Sequence, residues 1–315
     1  MIKDIMGRQF EILRLSLTDR CNFACHYCVD KESTLHQSCK HPLSADKYIS
    51  MVRDIHEIVN LKAVRLTGGE PALYHELIPL VRGLKAIGIP GVHLTSNGSR
   101  LFDMLKPLKE AGLDSLNISL DAVNPDVFTL MTSRPALDEV LAAIDQAIAI
   151  GIPLKVNSTI MNGINNHEIL PLIQEIGDGN ITIRFLELMK MGHLHRDFQR
   201  YFFSESQILE VIQSQYQIYP LPRKESSTAN YWITDDNRKF GIIANSSSPF
   251  CRDCNRLRLD SRGILYGCLS SSLGYDITQS HGQKRELEQT LINSLAQKQK
   301  ERFLGSQVSM ISIGG

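Results

Sequence analysis

Six segments of the chain alternate apolar and polar residues with the period of two that β-strands show: Ile12 to Thr18, Ala63 to Thr67, Gly91 to Thr95, Ser115 to Leu120, Leu154 to Ile160 and Ile181 to Leu186. Between them lie stretches of helical spacing, Ser44 to Asn60, Leu77 to Ile87, Leu137 to Ile150 and His167 to Ile176, with Ser44 and Asn166 placed as caps. Strand and helix in such alternation imply a parallel sheet with right-handed crossovers. Six units are too few to close an eight-stranded barrel. The expected fold is therefore α/β, a partly open (βα)6 barrel of TIM-barrel type, with a doubly wound open sheet as the alternative.

A parallel strand covered on both faces normally reads as a continuous apolar run. Here Arg14, Ser16 and Thr18 alternate with leucines, Arg65 and Thr67 with Val64 and Leu66, and His93 and Thr95 with Val92 and Leu94. Asn117, Ser119 and Asp121, then Lys155 and Asn157, then Thr182 and Arg184 continue the set. With the apolar faces against helices, these residues line a lumen, and a polar, cationic lumen implies a wet cavity for a charged ligand. An antiparallel sheet with one solvated face would show the same alternation.

After Met191 the pattern changes. Gly192 to Phe203 reads as a polar and aromatic connection, Ser204 to Gln213 as a helix, and Tyr231 to Thr234 and Phe240 to Ile243 as short strands. Asn255 to Asp260 and Ile264 to Cys268 flank Ser261-Arg262-Gly263 as a hairpin. A helical stretch from Lys284 to Lys300 precedes a tail ending in Gly314-Gly315. The expected division is a partial barrel over residues 1–191 and a smaller C-terminal α+β extension over 192–315.

With 315 residues, 43% of them hydrophobic, the chain can bury a large core. Lys and Arg number 34 against 34 Asp and Glu, so bulk charge favours neither nucleic acid nor an anionic membrane surface. Met1 to Phe10 has no signal-peptide core and no apolar run approaches a membrane span. A soluble cytoplasmic protein is expected, where disulfides are rare, so the seven cysteines point to metal or redox chemistry. Six form two triplets, Cys21, Cys25, Cys28 and Cys251, Cys254, Cys268, and Cys39 is left over.

Three thiolates leave one iron of a 4Fe-4S cluster without a protein ligand, whereas an electron-transfer cluster normally has four. A zinc site is the other reading of the first triplet, because His26, His36, Cys39 and His41 are near enough in sequence to supply a fourth ligand. For the second triplet, a zinc ribbon would want a further cysteine or histidine close by, so a second cluster with one open iron fits better.

The C-x3-C-x2-C loop after the first strand, with Tyr27 before its third cysteine, resembles the signature of the radical S-adenosylmethionine superfamily. The resemblance implies an open iron that chelates S-adenosylmethionine, whose reductive cleavage releases a 5'-deoxyadenosyl radical. It further implies that Gly69 in Gly68-Gly69-Glu70-Pro71, with Tyr27, Ser119 and Met189, contacts that cosubstrate. The second triplet, its flanking Arg256 and Arg258 and the terminal diglycine resemble one branch, the GTP 3',8-cyclases of molybdenum cofactor biosynthesis. That resemblance implies two 4Fe-4S clusters, a GTP site lined by Arg14, Arg65, Thr95, Lys155, Arg184, Arg256 and Arg258, and a tail, Gly314 and Gly315, that reaches the chemistry. It also implies a low-potential electron donor and a downstream cyclic pyranopterin monophosphate synthase, and is compatible with a homodimer.

The chain departs from the family pattern in places. Ala63 stands where a lysine is usual, and the adjacent Lys62 should point to the other face. Tyr74 replaces a common arginine, Val29-Asp30 an apolar-proline pair, and the connection into the tail is short. Triphosphate binding weaker than in the family is the expected consequence. Two rival functions remain: a radical enzyme of the same architecture acting on a peptide or other small molecule, which would keep the clusters but not the basic lumen set, and a non-catalytic zinc or iron-sulfur protein.

Overall fold

The computed structural model describes residues 2–30, 42–177, 181–280 and 282–306. The six expected strands form close to their expected bounds: β1 (Ile12–Ser16), β2 (Ala63–Thr67), β3 (Gly91–Ser96), β4 (Ser115–Ser119), β5 (Leu154–Ile160) and β6 (Thr182–Glu187). They pair in parallel in sequence order. The crossovers carry α1 (Ala45–Val59), α2 (Leu77–Ala86), α3 (Leu105–Glu110), α4 (Pro125–Thr132), α5 (Leu137–Ala149) and α6 (Ile169–Ile176).

Ser44 caps α1, its hydroxyl accepting from the Lys47 N–H at 3.3 Å, and Asn60 ends the helix in the left-handed region. Asn166 is not a cap: it lies in a 3-10 turn ahead of α6 and its carboxamide accepts from the Gly163 N–H. Apolar periodicity does not reveal α3, which is only six residues long. The sole announcement of α4 is Asn124-Pro125, where the Asn124 side chain accepts from the N–H groups of Asp126 and Val127.

Beyond β6 the chain adds strands to both ends of the same sheet. After α7 (Phe198–Tyr201) and α8 (Glu205–Gln213) come β7 (Ile218–Leu221), β8 (Asn230–Thr234) and β9 (Lys239–Ile243), and β9 pairs in parallel with β6. The chain then returns to the opposite edge with β10 (Arg256–Leu259), β11 (Ile264–Tyr266) and β12 (Tyr275–Asp276), where β10 is parallel to β1, and closes with α9 (Lys284–Ala296). The order is β12-β11-β10-β1-β2-β3-β4-β5-β6-β9-β8-β7, open at both ends among the described residues. The last helix stops four residues short of the expected Lys300.

Leu13, Leu15, Val64, Leu66, Val92, Leu94, Leu116 and Ile118 are fully buried on the helix-covered face. Truncating one of them, as in Leu15→Ala, should cost about 2–5 kcal/mol. Register then sets the polar residues of the other face in rows. Arg258, Arg14, Arg65 and His93 are neighbours across four strands. Ser119, Asn157, Arg184, Gly241 and Tyr231 form a second row nearer the C-terminal ends of the strands.

Candidate active site

Cys21, Cys25 and Cys28 follow β1 at the C-terminal end of the parallel strands, where barrels of this type gather their functional loops. Their thiols line a cavity of about 130 Å3 with Gly68, Gly69, Glu70, Thr95, Asn97 and Ser119. Backbone contact builds its wall: the Gly69 N–H donates to the Thr18 carbonyl at 2.6 Å and the Glu70 N–H to the Arg20 carbonyl at 2.8 Å. A Cβ on Gly69 would stand 2.2 Å from the Arg20 oxygen, so glycine is required here for loop to meet loop.

Glu70, 1% exposed, accepts from the Ala72 N–H, the Ser96 hydroxyl and the Asn97 N–H at 2.7–2.8 Å. Asn97 extends this order, donating to the Asn22 carboxamide oxygen at 2.9 Å and to the Cys21 sulfur at 3.9 Å. The Tyr27 hydroxyl donates to Asp121, whose other oxygen accepts from the Thr159 N–H. Burial holds the Asp121 carboxyl up at about 6. Burial, with the Asp121 charge added, pushes the Cys25 thiol well up, and burial raises Cys21, with Glu70 contributing.

The second triplet lies at the other end of the strands. Arg256 is level with Ile12 at the start of β1, and Cys254 comes two residues earlier. Across the hairpin Arg258 faces Tyr266, which brings Cys268 back beside Cys254. Arg8 donates to the Cys251 carbonyl at 2.6 Å, Arg223 grips Asp253 through two bonds of 2.8 and 3.0 Å, and Lys298 donates to the Cys254 sulfur at 3.3 Å. Burial, with its two neighbouring thiols, raises Cys251 to about 11. Burial works to raise Cys254 as well, yet Lys298 and Arg256 carry it down to about 6. Cys268 is lowered against burial by bonds to Ser270.

Between the triplets, the five residues of β1 span about 13 Å at about 3.3 Å per residue. This interval is cationic. Burial, then the charges of Arg184 and Arg256, lower Arg65 to about 10, and burial with Arg184 and Arg65 lowers Lys155, exposed at the rim, to about 8. Arg14 is lowered by burial and by Arg258, Arg65, Arg256 and Arg184 around it. Among the described residues, Arg65 Nη1, Arg184 Nε and Arg256 Nη2 are buried without a hydrogen-bond partner. Buried, mutually repelling cations with open donors are costly, and a polyanion laid among them would offset that cost.

A model of the radical SAM superfamily matches residues 15–176, and one described as Molybdenum Cofactor Synthesis C matches 181–304. The GTP 3',8-cyclase of Aquifex aeolicus is 34% identical over 321 residues, covering 100% of both chains. That of Synechococcus elongatus is 38% identical, covering 88% of this chain and 85% of its own. The chain belongs to the GTP 3',8-cyclase family of the radical SAM superfamily. Among solved structures, Streptococcus suis SuiB bound to S-adenosylmethionine superposes with a TM-score of 0.63 at 11% identity, over 86% of this chain and 64% of SuiB. Native anSMEcpe with bound AdoMet gives 0.58 at 13% identity, over 87% of this chain and 79% of its own. At such identities the likeness is one of fold.

Against the pattern of the GTP 3',8-cyclase family, Tyr27, Gly69 and Ser119 line the first cavity, and so does Thr95, which the sequence assigned to the nucleotide. Met189 packs instead against Met191, Tyr266 and Leu269 near the second triplet. Lys62 pairs with Glu11 on the outer surface, leaving Ala63 in the lumen row. Tyr74, 1% exposed, donates to the Leu43 carbonyl at 2.8 Å and packs on Tyr48 in the helix layer. Cys39, His36, His41, Gly314 and Gly315 lie outside the described residues.

Sequence reasoning missed several groups. Tyr231 crosses Gly241, where a Cβ would come within 2.8 Å of its ring, to hydrogen-bond Arg184. His93, held by the Ser115 hydroxyl at 2.8 Å, is lowered by burial and Arg65 to about 4 and stays neutral at pH 7. Asn97, one residue past β3 at the functional end of the sheet, carried a signal in its position alone.

Proposed function

We propose that this chain is a radical S-adenosylmethionine enzyme that converts GTP to 3',8-cyclo-7,8-dihydro-GTP, the first step of molybdenum cofactor biosynthesis. The observation that carries this reading is the lumen of buried, unsatisfied guanidinium donors between two three-cysteine sites. Cys21, Cys25 and Cys28 would hold one 4Fe-4S cluster and Cys251, Cys254 and Cys268 the other, each with one iron left for a ligand. The donor sets suit this: all thiols, three at each end, none in a disulfide. When bound, the first cluster and S-adenosylmethionine supply the 5'-deoxyadenosyl radical that removes the hydrogen from C3' of GTP. Tyr27, Gly69 and Ser119 would contact S-adenosylmethionine, and Glu70 and Asn97 hold the loops that shape its site. Arg14, Arg65, Lys155, Arg184, Arg256 and Arg258 would grip the triphosphate and Thr95 the sugar side, fixing C3' against C8 for ring closure.

Residues 1–191 would form the partial barrel with the first cluster and 192–315 a C-terminal region with the second cluster, with Gly314 and Gly315 reaching the reacting centre. No helix among the described residues is long and apolar enough to cross a membrane. A cytoplasmic enzyme, reduced by a low-potential donor, assembled as a homodimer and feeding a cyclic pyranopterin monophosphate synthase, completes the reading. Anaerobic incubation with GTP, S-adenosylmethionine and dithionite tests it: cyclised GTP should form with 5'-deoxyadenosine. Unchanged GTP beside continued S-adenosylmethionine cleavage would transfer the assignment to a peptide or another small molecule.

A further inference from the structure

Just beyond α9 lies a lysine that binding of neither ligand accounts for. Leu287, Leu291 and Leu295 anchor α9 in the core. Its last turn comes down on the β10–β11 hairpin at Gly267, where a Cβ would stand 1.8 Å from the Ser294 carbonyl oxygen, an approach open only to glycine. That docking delivers Lys298, 7% exposed, among the strands of the second triplet. Its ammonium donates to the Cys254 sulfur at 3.3 Å, the Arg256 carbonyl at 2.8 Å and the Gly267 carbonyl at 3.2 Å, and it stands 5.3 Å from the centre of the Phe10 ring. Arg8 fixes the neighbouring turn, donating to the carbonyls of Gln299 at 2.7 Å and Cys251 at 2.6 Å.

Three acceptors engage all three protons of an ammonium, and a neutral amine has only two to give. Two of those acceptors are carbonyls, so the negative charge that faces this cation is the one sulfur carries as an iron ligand. Lysine is almost never fully buried without a charge to meet it. Hydrogen bonds to ligand sulfur and nearby charge are what set a cluster's potential.

We propose that Lys298 is a positioning residue of the second iron-sulfur site, whose buried positive charge holds the Cys254 sulfur and stabilises the reduced cluster. This rests on the reading of the second triplet as a cluster site. One-electron reduction adds a negative charge there, and the ammonium offsets it, so its loss should make reduction harder. At the first triplet the Cys21 sulfur accepts instead from the uncharged Asn97.

The test uses the full-length holoprotein with Cys21, Cys25 and Cys28 changed to Ser, so that the second site alone gives a paramagnetic signal. A redox titration then compares Lys298 with Lys298→Met and Lys298→Arg. Lys298→Met should lower the reduced-to-oxidised ratio at fixed potential about tenfold, about 59 mV for one electron. Lys298→Arg keeps the charge and should stay within about twofold. Equal midpoints in all three overturn the proposal, and so does an arginine variant displaced as far as the methionine one, which would make Lys298 a packing residue. Iron uptake by Lys298→Arg but not Lys298→Met supports the charge requirement, and loss in both overturns it. Absence of any cluster signal with Lys298 in place overturns the cluster reading itself, and the proposal with it.

Discussion

Among the described residues, the side-chain charges that act on Cys21 and Cys25 include the carboxylates of Glu70 and Asp121, whereas those that act on Cys254 are the cations Lys298 and Arg256. Two sites with the same three ligands are thus set in opposite fields at opposite ends of one lumen. The difference sorts their ligands. S-adenosylmethionine brings a sulfonium and an ammonium, which suit the carboxylate end, and GTP brings a triphosphate, which suits the row of arginines. With three protein ligands each site would stay open, and the surroundings would decide what enters.

The largest effects should come from breaking one end and leaving the other. Cys25→Ser should abolish cleavage of S-adenosylmethionine and reduce iron from about eight to about four atoms per chain. Cys268→Ser should lose the same amount of iron and all cyclisation yet still release 5'-deoxyadenosine. Iron and sulfide analysis with chromatography of the nucleosides checks both. If Cys268→Ser also stopped that release, the two ends would not be separable.

Next come the cations between the ends. Arg65, Arg256 and Arg258 changed together to Ala should weaken GTP by at least about a thousandfold, at about 1.5–3 kcal/mol per charge-assisted bond. S-adenosylmethionine affinity should hardly move, and calorimetry on one preparation reads both. At the carboxylate end, Glu70→Gln replaces an acceptor of the Asn97 or Ser96 bond with a donor. A cost of about 1–2 kcal/mol is expected, seen as a roughly tenfold higher KM for S-adenosylmethionine at unchanged GTP affinity.

The smallest effect concerns pH. His93 faces Arg65 on β2, Lys155 on β5, Lys85 on α2 and Asp114 ahead of β4, and its folded pKa of about 4 lies below the ordinary 6.5. Between those values the unfolded chain binds more protons. Its contribution to stability is therefore whole above about pH 6.5 and declines as pH falls toward 4. Denaturant titrations from pH 4 to 7 should show a shallower decline for His93→Gln than for the parent protein. An unchanged slope would mean that the cationic row does not act on His93.

The alternation of Arg14, Arg65, His93, Lys155 and Arg184 with apolar neighbours made both the parallel sheet and its polar lumen legible, because a strand's period assigns faces without knowledge of its partners. Both triplets were legible from spacing. Joining the C-terminal strands to both edges of the first sheet was not, since no local pattern says which strand β9 or β10 will pair with. Lys298 was hidden for a related reason. On a helix taken to run to Lys300 it reads as a solvated cation, and only the docking at Gly267 buries it. Glu70 and Asp121 likewise gain their roles from loops distant in sequence.

In the proposed reaction GTP, held by the cationic end, would present C3' to the radical made at the carboxylate end. GTP deuterated at C3' tests it most directly, in anaerobic turnover followed by mass spectrometry of both nucleosides. One deuterium should appear in 5'-deoxyadenosine and none at C3' of a cyclised product. 5'-Deoxyadenosine free of deuterium, with the label retained in unreacted GTP, would contradict it.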